Sequence, residues 1–450
     1  MRARTGPNTF ESVTSGCEKQ MRILLIGAGG VGDAIVKIAA NRNFFEKIIV
    51  SDYDLARAEK SIEWVKKHHP AAAAKFEAAQ VDASDSGVVA TLATKVQATH
   101  IMNAVEPKFV QSIFDGALKA GVNYLDMAMS LSHVHKTDPF NTPAEKLGDW
   151  QYDKHAEFEK AGLLALIGTG AEPGISNIFA RYAADHLFSE VDEITVLDGG
   201  NLVVVNDEGE EIFAPSFSIW TVIEECLNPP LMWEKDRGWF TTEPFSEPAI
   251  FEFPGGIGPI ECVNVEHEEV NMLPRTMKAK KVAFKYGLGT EFIGVLQTLH
   301  ALGLDKIEPV SVRSANGPAK IAPRDLVAAV LPDPASLVDS MTGQTCAGTL
   351  VTGKDLDGQP RATYLYHVAD TSWTAKNYDA QAVVWQTALV PVVALELLAS
   401  GQWANTGVRG PEEFDAKLFL DLMSSEYGQP WGSQDRNPEN PSVIDENWNK

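Results

Sequence analysis

The segment Met21–Asp54, MRILLIGAGGVGDAIVKIAANRNFFEKIIVSDYD, constrains this chain more than any other stretch. Met21 to Ile26 is a short apolar run of the kind a buried parallel strand needs. Gly27, Gly29 and Gly32 follow as GxGxxG, an apolar helical run Val31 to Ala40 comes next, and a second strand, Lys47 to Val50, ends at Ser51-Asp52. Each glycine has a separate duty: Gly27 permits the turn out of the strand, Gly29 lets a pyrophosphate approach the backbone, and Gly32 lets helix and strand pack closely. The helix N-terminus turns free N–H groups toward the phosphates. Asp52 stands about 20 residues past Gly32, where an acid accepts hydrogen bonds from the adenosine ribose. The unit predicts a dinucleotide site built from Gly27, Gly29, Gly30, Val31, Gly32 and Asp52. Asp52 repels a 2′-phosphate, so NAD is the expected cofactor and NADP the alternative, since Arg57 and Lys60 lie close by.

At 450 residues the chain is long enough for two domains. No run approaches the roughly 20 apolar residues of a membrane span. Residues 1–20 are polar, lack the apolar centre of a secretory signal, and are expected to be a disordered extension. The four cysteines, Cys17, Cys226, Cys262 and Cys346, form no CxxC pair, so neither a zinc site nor a disulfide framework is indicated and a reduced, cytoplasmic setting fits. The formal charge of −23 argues against nucleic acid as a partner.

Past Asp54, helices 55–67, 84–95 and 107–120 alternate with strands Phe76 to Val81, Thr99 to Asn103 and Val122 to Leu125. This is the pattern of an α/β fold with a doubly wound parallel sheet. Ligands bind beyond the carboxyl ends of such strands. That edge carries Asp82, Asn103, Ala104 and Asp126: Asp82 as an adenine contact or a turn cap, Asn103 and Ala104 beside the nicotinamide. His133 and His135 form HxH, but no acid or cysteine spacing supports a metal there, and solvent exposure is the better reading. Leu163 to Ile167 is one more strand and enters the turn Gly168–Asn177, in which Glu172 faces the crevice and Ser176 or Asn177 caps the helix that leaves it.

Strands then dominate: Glu193 to Leu197, Leu202 to Val205, Trp233 to Phe240, Ala249 to Phe253, Ile260 to Val265 and Thr276 to Phe284. They form a second α+β domain with a mixed sheet. Helices are expected over 217–227, 288–302, 323–330 and 379–400. The stretch after Trp431 is polar, rich in Asn and Pro, and reads as a tail.

Here the chain resembles the saccharopine dehydrogenase superfamily, and within it the bacterial carboxynorspermidine dehydrogenase branch. The resemblance rests on GAGGVG at 27–32, Val122-Asn123-Tyr124-Leu125-Asp126, Glu172-Pro173-Gly174-Ile175-Ser176-Asn177, His267-Glu268-Glu269-Val270, Phe284-Lys285-Tyr286-Gly287-Leu288-Gly289 and Gly428-Gln429-Pro430-Trp431. It implies a Rossmann domain over 21–175, a substrate and dimerisation domain over 176–375, C-terminal helices over 376–431 that return to the Rossmann domain, a polar tail over 432–450, and a homodimer. It also implies reversible hydride transfer at a carbon–nitrogen bond of a saccharopine-like or polyamine conjugate. Relatives that use NADP tend to carry Arg just after the second strand, where this chain has Asp52-Tyr53.

Forming or hydrolysing an imine requires proton transfers, so a group that titrates near neutrality is needed. His267, Asp126 and Lys285 are the catalytic candidates. Glu172, Asn177, Arg275 and Tyr286 are the substrate-binding candidates, and Arg324 is an alternative clamp for a carboxylate. No metal is expected. Oxidative deamination of lysine at its terminal amine and a non-catalytic nucleotide-binding role are the competing readings.

Overall fold

The computed structural model describes residues 21–315 and 317–445. The expectation for residues 1–20 therefore lies outside the described residues, as do positions 446–450. The first sheet has seven parallel strands in the spatial order Gly407–Arg409, Leu164–Leu166, Asn123–Asp126, His100–Asn103, Arg22–Ile26, Lys47–Asp52, Phe76–Gln80. The interior strand Arg22–Ile26 reads RILLI and is buried from Ile23 onward, because helices cover both faces of a parallel sheet. Acids start the helices on its edge. Asp54 accepts from the Ala56 N–H at the head of Leu55–His68, and Asp85 accepts from Gly87 and Val88 at the head of Ser86–Lys95.

The second sheet has nine strands and is mixed. Its centre is the long strand Phe188–Gly200, parallel to Lys281–Gly287 on one side and antiparallel to Gln344–Asp355 on the other. The structure lengthens or breaks several expected elements. Glu193 to Leu197 is the middle of a thirteen-residue strand. Trp233 to Phe240 is a hairpin, Leu231–Glu234 with Gly238–Thr241, turned at a glycine of φ +80°. The strand expected from Thr276 starts only at Lys281, because Glu269–Thr276 is helical despite Pro274.

Helix Ala382–Ala399 joins the two halves. It is long and apolar enough to cross a membrane by length and composition, which the reading by apolar runs missed. It instead lies in the core, 72% buried over its span, and packs against Gly30–Ala39, the helix that leaves the glycine loop. The polar tail also needs correction. Gly432–Arg436 is a strand that pairs with Pro360–Asp370, and Arg436 is 1% exposed against Phe251 and Tyr364. Backbone hydrogen bonds, which polarity does not reveal, hold this stretch in place.

Candidate active site

The glycine loop is built as its spacing predicts. Gly27 has φ +103°, and a Cβ there would meet the Ala104 carbonyl oxygen at 2.5 Å. A Cβ on Gly32 would stand 1.9 Å from the Gly27 oxygen, so helix and turn are in contact. A Cβ on Gly29 would meet nothing within 4 Å, which leaves the approach to the helix N-terminus open on that side. The residues present therefore fit a dinucleotide's pyrophosphate. Gly30 and Val31 open the helix, and Val31 packs into the core. Asp52 is 6% exposed; its Oδ2 accepts from the Ala28 N–H at 2.8 Å and its Oδ1 from the Asp54 N–H at 3.0 Å. Its charge braces the loop, while Tyr53 beside it is 70% exposed.

The other strand ends behave differently. Asp82 is exposed and takes both the N–H and the hydroxyl of Ser84, which holds a turn and draws its carboxyl below the usual range. Asn103 is buried, donates to the Tyr124 hydroxyl at 2.9 Å and accepts from the Val105 N–H at 3.1 Å, so it braces the turn carrying Ala104. Asp126 is 1% exposed and accepts from Gly168 N, Gln151 Nε2 and the Tyr124 hydroxyl. Burial outweighs these three donors and pushes its carboxyl up to about 7.

A second group of side chains gathers below a cavity of about 480 Å³. The cavity runs between the strand ends at Asp198–Gly200, the loop Glu211–Ser216 and the segment Tyr286–Phe292. Val383 closes one side, and its neighbour Val384 stands 3.2 Å from a Cβ placed on Gly30. Among the described residues no lysine, arginine or histidine lines it, whereas Asp198, Glu211 and Glu291 do.

Asp198 leads into the buried cluster. It is hydrogen-bonded to Glu172 and to the Tyr286 hydroxyl. Two carboxyls in contact cannot both ionise, and burial adds to their repulsion; Asp198 rises to about 6 and Glu172 is driven well above its ordinary value. Behind them His267, 4% exposed, stacks on Phe284 with ring centroids 3.8 Å apart. Its Nδ1 is 2.5 Å from Glu269 Oε2 and 3.3 Å from Glu268 Oε2. Burial disfavours its charge, but Glu269, Glu268 and Glu225 outweigh that and raise it to about 10, so it is an imidazolium at neutral pH. Ligand atoms of Glu225, His267 and Glu268 all lie within 4.8 Å of one another.

The sequence candidates thus divide. The structure brings His267, Glu172 and Tyr286 together. Lys285 is turned away, because neighbours on a strand face opposite sides: Phe284 meets His267 while Lys285 bonds the Glu247 carbonyl. Arg275 is taken by Asp149 at 2.7 Å and stacks on Tyr152. Arg324 is ion-paired with Glu224 and lies over Trp220. Asn177 closes the Gly174 turn and donates to Glu412 at 3.0 Å. His133 is 71% exposed and His135 binds the Asp138 N–H, so the HxH pair is a surface feature. Asp198, Glu225 and Glu266 were missed; only Asp198, a charge ending an apolar strand just before two glycines, carried a visible sign.

The family description "Saccharopine dehydrogenase NADP binding domain" matches residues 23–166, and "Saccharopine dehydrogenase C-terminal domain" matches residues 170–428. The chain belongs to the saccharopine dehydrogenase family. Within this family it is similar to the carboxynorspermidine synthase of Vibrio alginolyticus, 31% identical over 94% of this chain and 99% of the relative. It is also similar to the carboxyaminopropylagmatine dehydrogenase of Synechocystis, 27% identical over 91% and 96%. The apo saccharopine dehydrogenase (L-Glu forming) of Saccharomyces cerevisiae shares the fold, with a TM-score of 0.61 at 13% identity over 93% of this chain and all of that one. As a saccharopine dehydrogenase family member the chain is an NAD(P)-dependent oxidoreductase acting at the CH–NH bond of an amino-acid or polyamine conjugate.

Proposed function

We propose that this enzyme joins a diamine to an amino-acid aldehyde by reductive condensation. The observation that carries this reading is the cavity, which is lined by Asp198, Glu211 and Glu291 with no basic side chain among the described residues. Such a lining holds a multiply charged amine and repels a substrate that is mainly anionic. The name of the Vibrio relative points to a matching product: carboxynorspermidine, cut at its carboxyl-side CH–NH bond, gives 1,3-diaminopropane and a four-carbon amino-acid semialdehyde. The free N–H groups at the start of helix Thr290–Ala301, which opens on the cavity at Gly289, suit the aldehyde's carboxylate.

In this reading one ammonium of the diamine meets Asp198, which takes its proton and leaves a nucleophilic amine. Addition to the carbonyl and loss of water give the imine, with the Glu172–Asp198 pair returning the proton to the departing oxygen. A bound nicotinamide supplies the hydride to the imine carbon. His267 stabilises the ionised form of the pair from behind, and Asp126 holds the Gly168 turn that positions Glu172. The reading takes NAD as the cofactor, because the Asp52 charge lies where a 2′-phosphate would come, and it takes the enzyme to be a cytoplasmic homodimer.

The test is NADH or NADPH oxidation with 1,3-diaminopropane and L-aspartate 4-semialdehyde, the product identified by mass. Asp198→Asn is expected to lower kcat by about 100-fold or more. Turnover of lysine with NAD alone, without any aldehyde, would overturn the reading in favour of oxidative deamination.

A further inference from the structure

The buried cluster does not end at His267. It continues to a second opening that the cavity does not use. Glu266, 7% exposed, accepts from Ser132 Oγ at 3.0 Å and from Asn228 Nδ2 at 2.9 Å. Ser132 and Glu266 line a small surface recess with Thr142 and Glu145, and His133 at its rim is 71% exposed. Inward of Glu266, Glu225 and Glu268 each bring a carboxyl oxygen within 4.8 Å of the other and of a His267 nitrogen; His267 Nδ1 reaches Glu269 Oε2 at 2.5 Å, and the charge of Glu269 is felt at the Glu172–Asp198 pair on the cavity floor. Glu172 Oε1 is buried without a hydrogen-bond partner, and Glu268 Oε2 makes no hydrogen bond, with only the His267 imidazolium 3.3 Å away. A buried carboxyl oxygen left unpartnered is costly unless a proton or another cation visits it.

We propose that Glu266, Glu268, His267, Glu269 and Glu172 form a proton relay from the recess at Ser132 to Asp198 and the substrate nitrogen. The inference rests on the reductive reading above. In that reaction an ammonium, an aldehyde, NAD(P)H and one proton give a secondary ammonium, NAD(P)+ and water. The hydride carries both electrons to the imine carbon, and the proton that completes the new ammonium comes from solvent. Val383 of helix Ala382–Ala399 bounds one side of the cavity, and in the reductive reading substrate occupies it, so the proton enters from the other end of the cluster. Each proton given up by Asp198 is replaced from Glu172, and the vacancy passes through Glu269, His267 and Glu268 to Glu266, which refills from water at the recess.

Glu266→Gln tests this, since it keeps the side chain's size and its contact with Ser132 but carries no proton to pass. Wild type and variant are compared with 1,3-diaminopropane, L-aspartate 4-semialdehyde and NADH, in water and in deuterium oxide, with and without added imidazole. The relay predicts a kcat about 10-fold lower or more in Glu266→Gln, with KM values and NADH affinity within about twofold of wild type. It also predicts a larger solvent isotope effect, and recovery of kcat that saturates with imidazole concentration in the variant alone. An unchanged kcat and isotope effect would overturn the relay, and so would a lost kcat that imidazole does not restore, since a merely structural glutamate behaves that way. Wild-type turnover beside an indifferent Glu266→Gln removes the relay alone; absence of turnover by the wild type removes the reductive reading and the relay with it.

Discussion

At the scale of single residues, Asp52 braces the glycine loop, and we propose that the same carboxylate serves the cofactor. Two backbone N–H groups occupy one lone pair on each of its oxygens, and a carboxylate has about four such sites. Asp52→Ala is expected to weaken NAD binding by about 1–2 kcal/mol, read by titration of NADH fluorescence; unchanged affinity would remove Asp52 from the site. His267 predicts a different split. His267→Asn should lower kcat by about 10-fold or more while NADH affinity changes little, because the ring lies behind the Asp198 pair and away from the glycine loop. Equal loss of both would count against its part in proton transfer. The glycine loop was legible in the sequence because its whole logic is local, a strand, a turn and a helix within a few residues. The roles of Arg275 and Arg324 were not: their acidic partners stand 126 and 100 positions away, and nothing in one sequence announces those pairings.

Among the elements, the strand Gly432–Arg436 has consequences out of proportion to its length. It completes one edge of the mixed sheet, Asp435 pairs with Arg361 at 2.9 Å, and Arg436 bonds the Glu252 carbonyl at 2.9 Å. Ending the chain after Trp431 removes these contacts and uncovers Phe251 and Tyr364, both within 2% of full burial. A loss of about 3 kcal/mol or more is expected, measured as a lower urea midpoint; equal midpoints would show that this edge carries no stability. Polar composition hid the strand, because its hold on the sheet is made by backbone groups that every residue carries. Conversely, the alternation across Phe284, Lys285 and Tyr286 was readable in principle: once Phe284 and Tyr286 face the site, Lys285 cannot.

For the whole molecule the buried acids set the pH dependence of stability. Burial raises Asp126 to about 7, and Glu225, Glu266 and Glu412 to about 8. An acid with a raised folded value holds its proton more tightly when folded, so its contribution is full below the unfolded value and is lost as pH rises through the folded one. His267, raised to about 10, acts in the same direction. His100 and His367, both lowered to about 4 by burial, oppose this only on the acid side, below about 6.5. Tm should therefore fall steadily from about pH 6 to about pH 9. Glu412, 1% exposed and bonded to Asn177, is not among the residues proposed to carry protons, and Glu412→Gln should flatten that fall by up to about 1.4 kcal/mol per pH unit. A slope identical to wild type would show that Glu412 is ionised in the folded protein.

Helix Ala382–Ala399 and the strand Gly407–Arg409 come late in the chain, yet one braces the first helix after the glycine loop and the other closes the parallel sheet begun at Arg22. On the ribosome, at ~5–20 residues per second, about 20–80 s separate the first strand from the last. Through that interval the nascent nucleotide domain has an open sheet edge and an uncovered apolar helix face. A chain that stops before these segments leaves the helix behind the glycine loop without its brace and its apolar face open to chaperones and proteases.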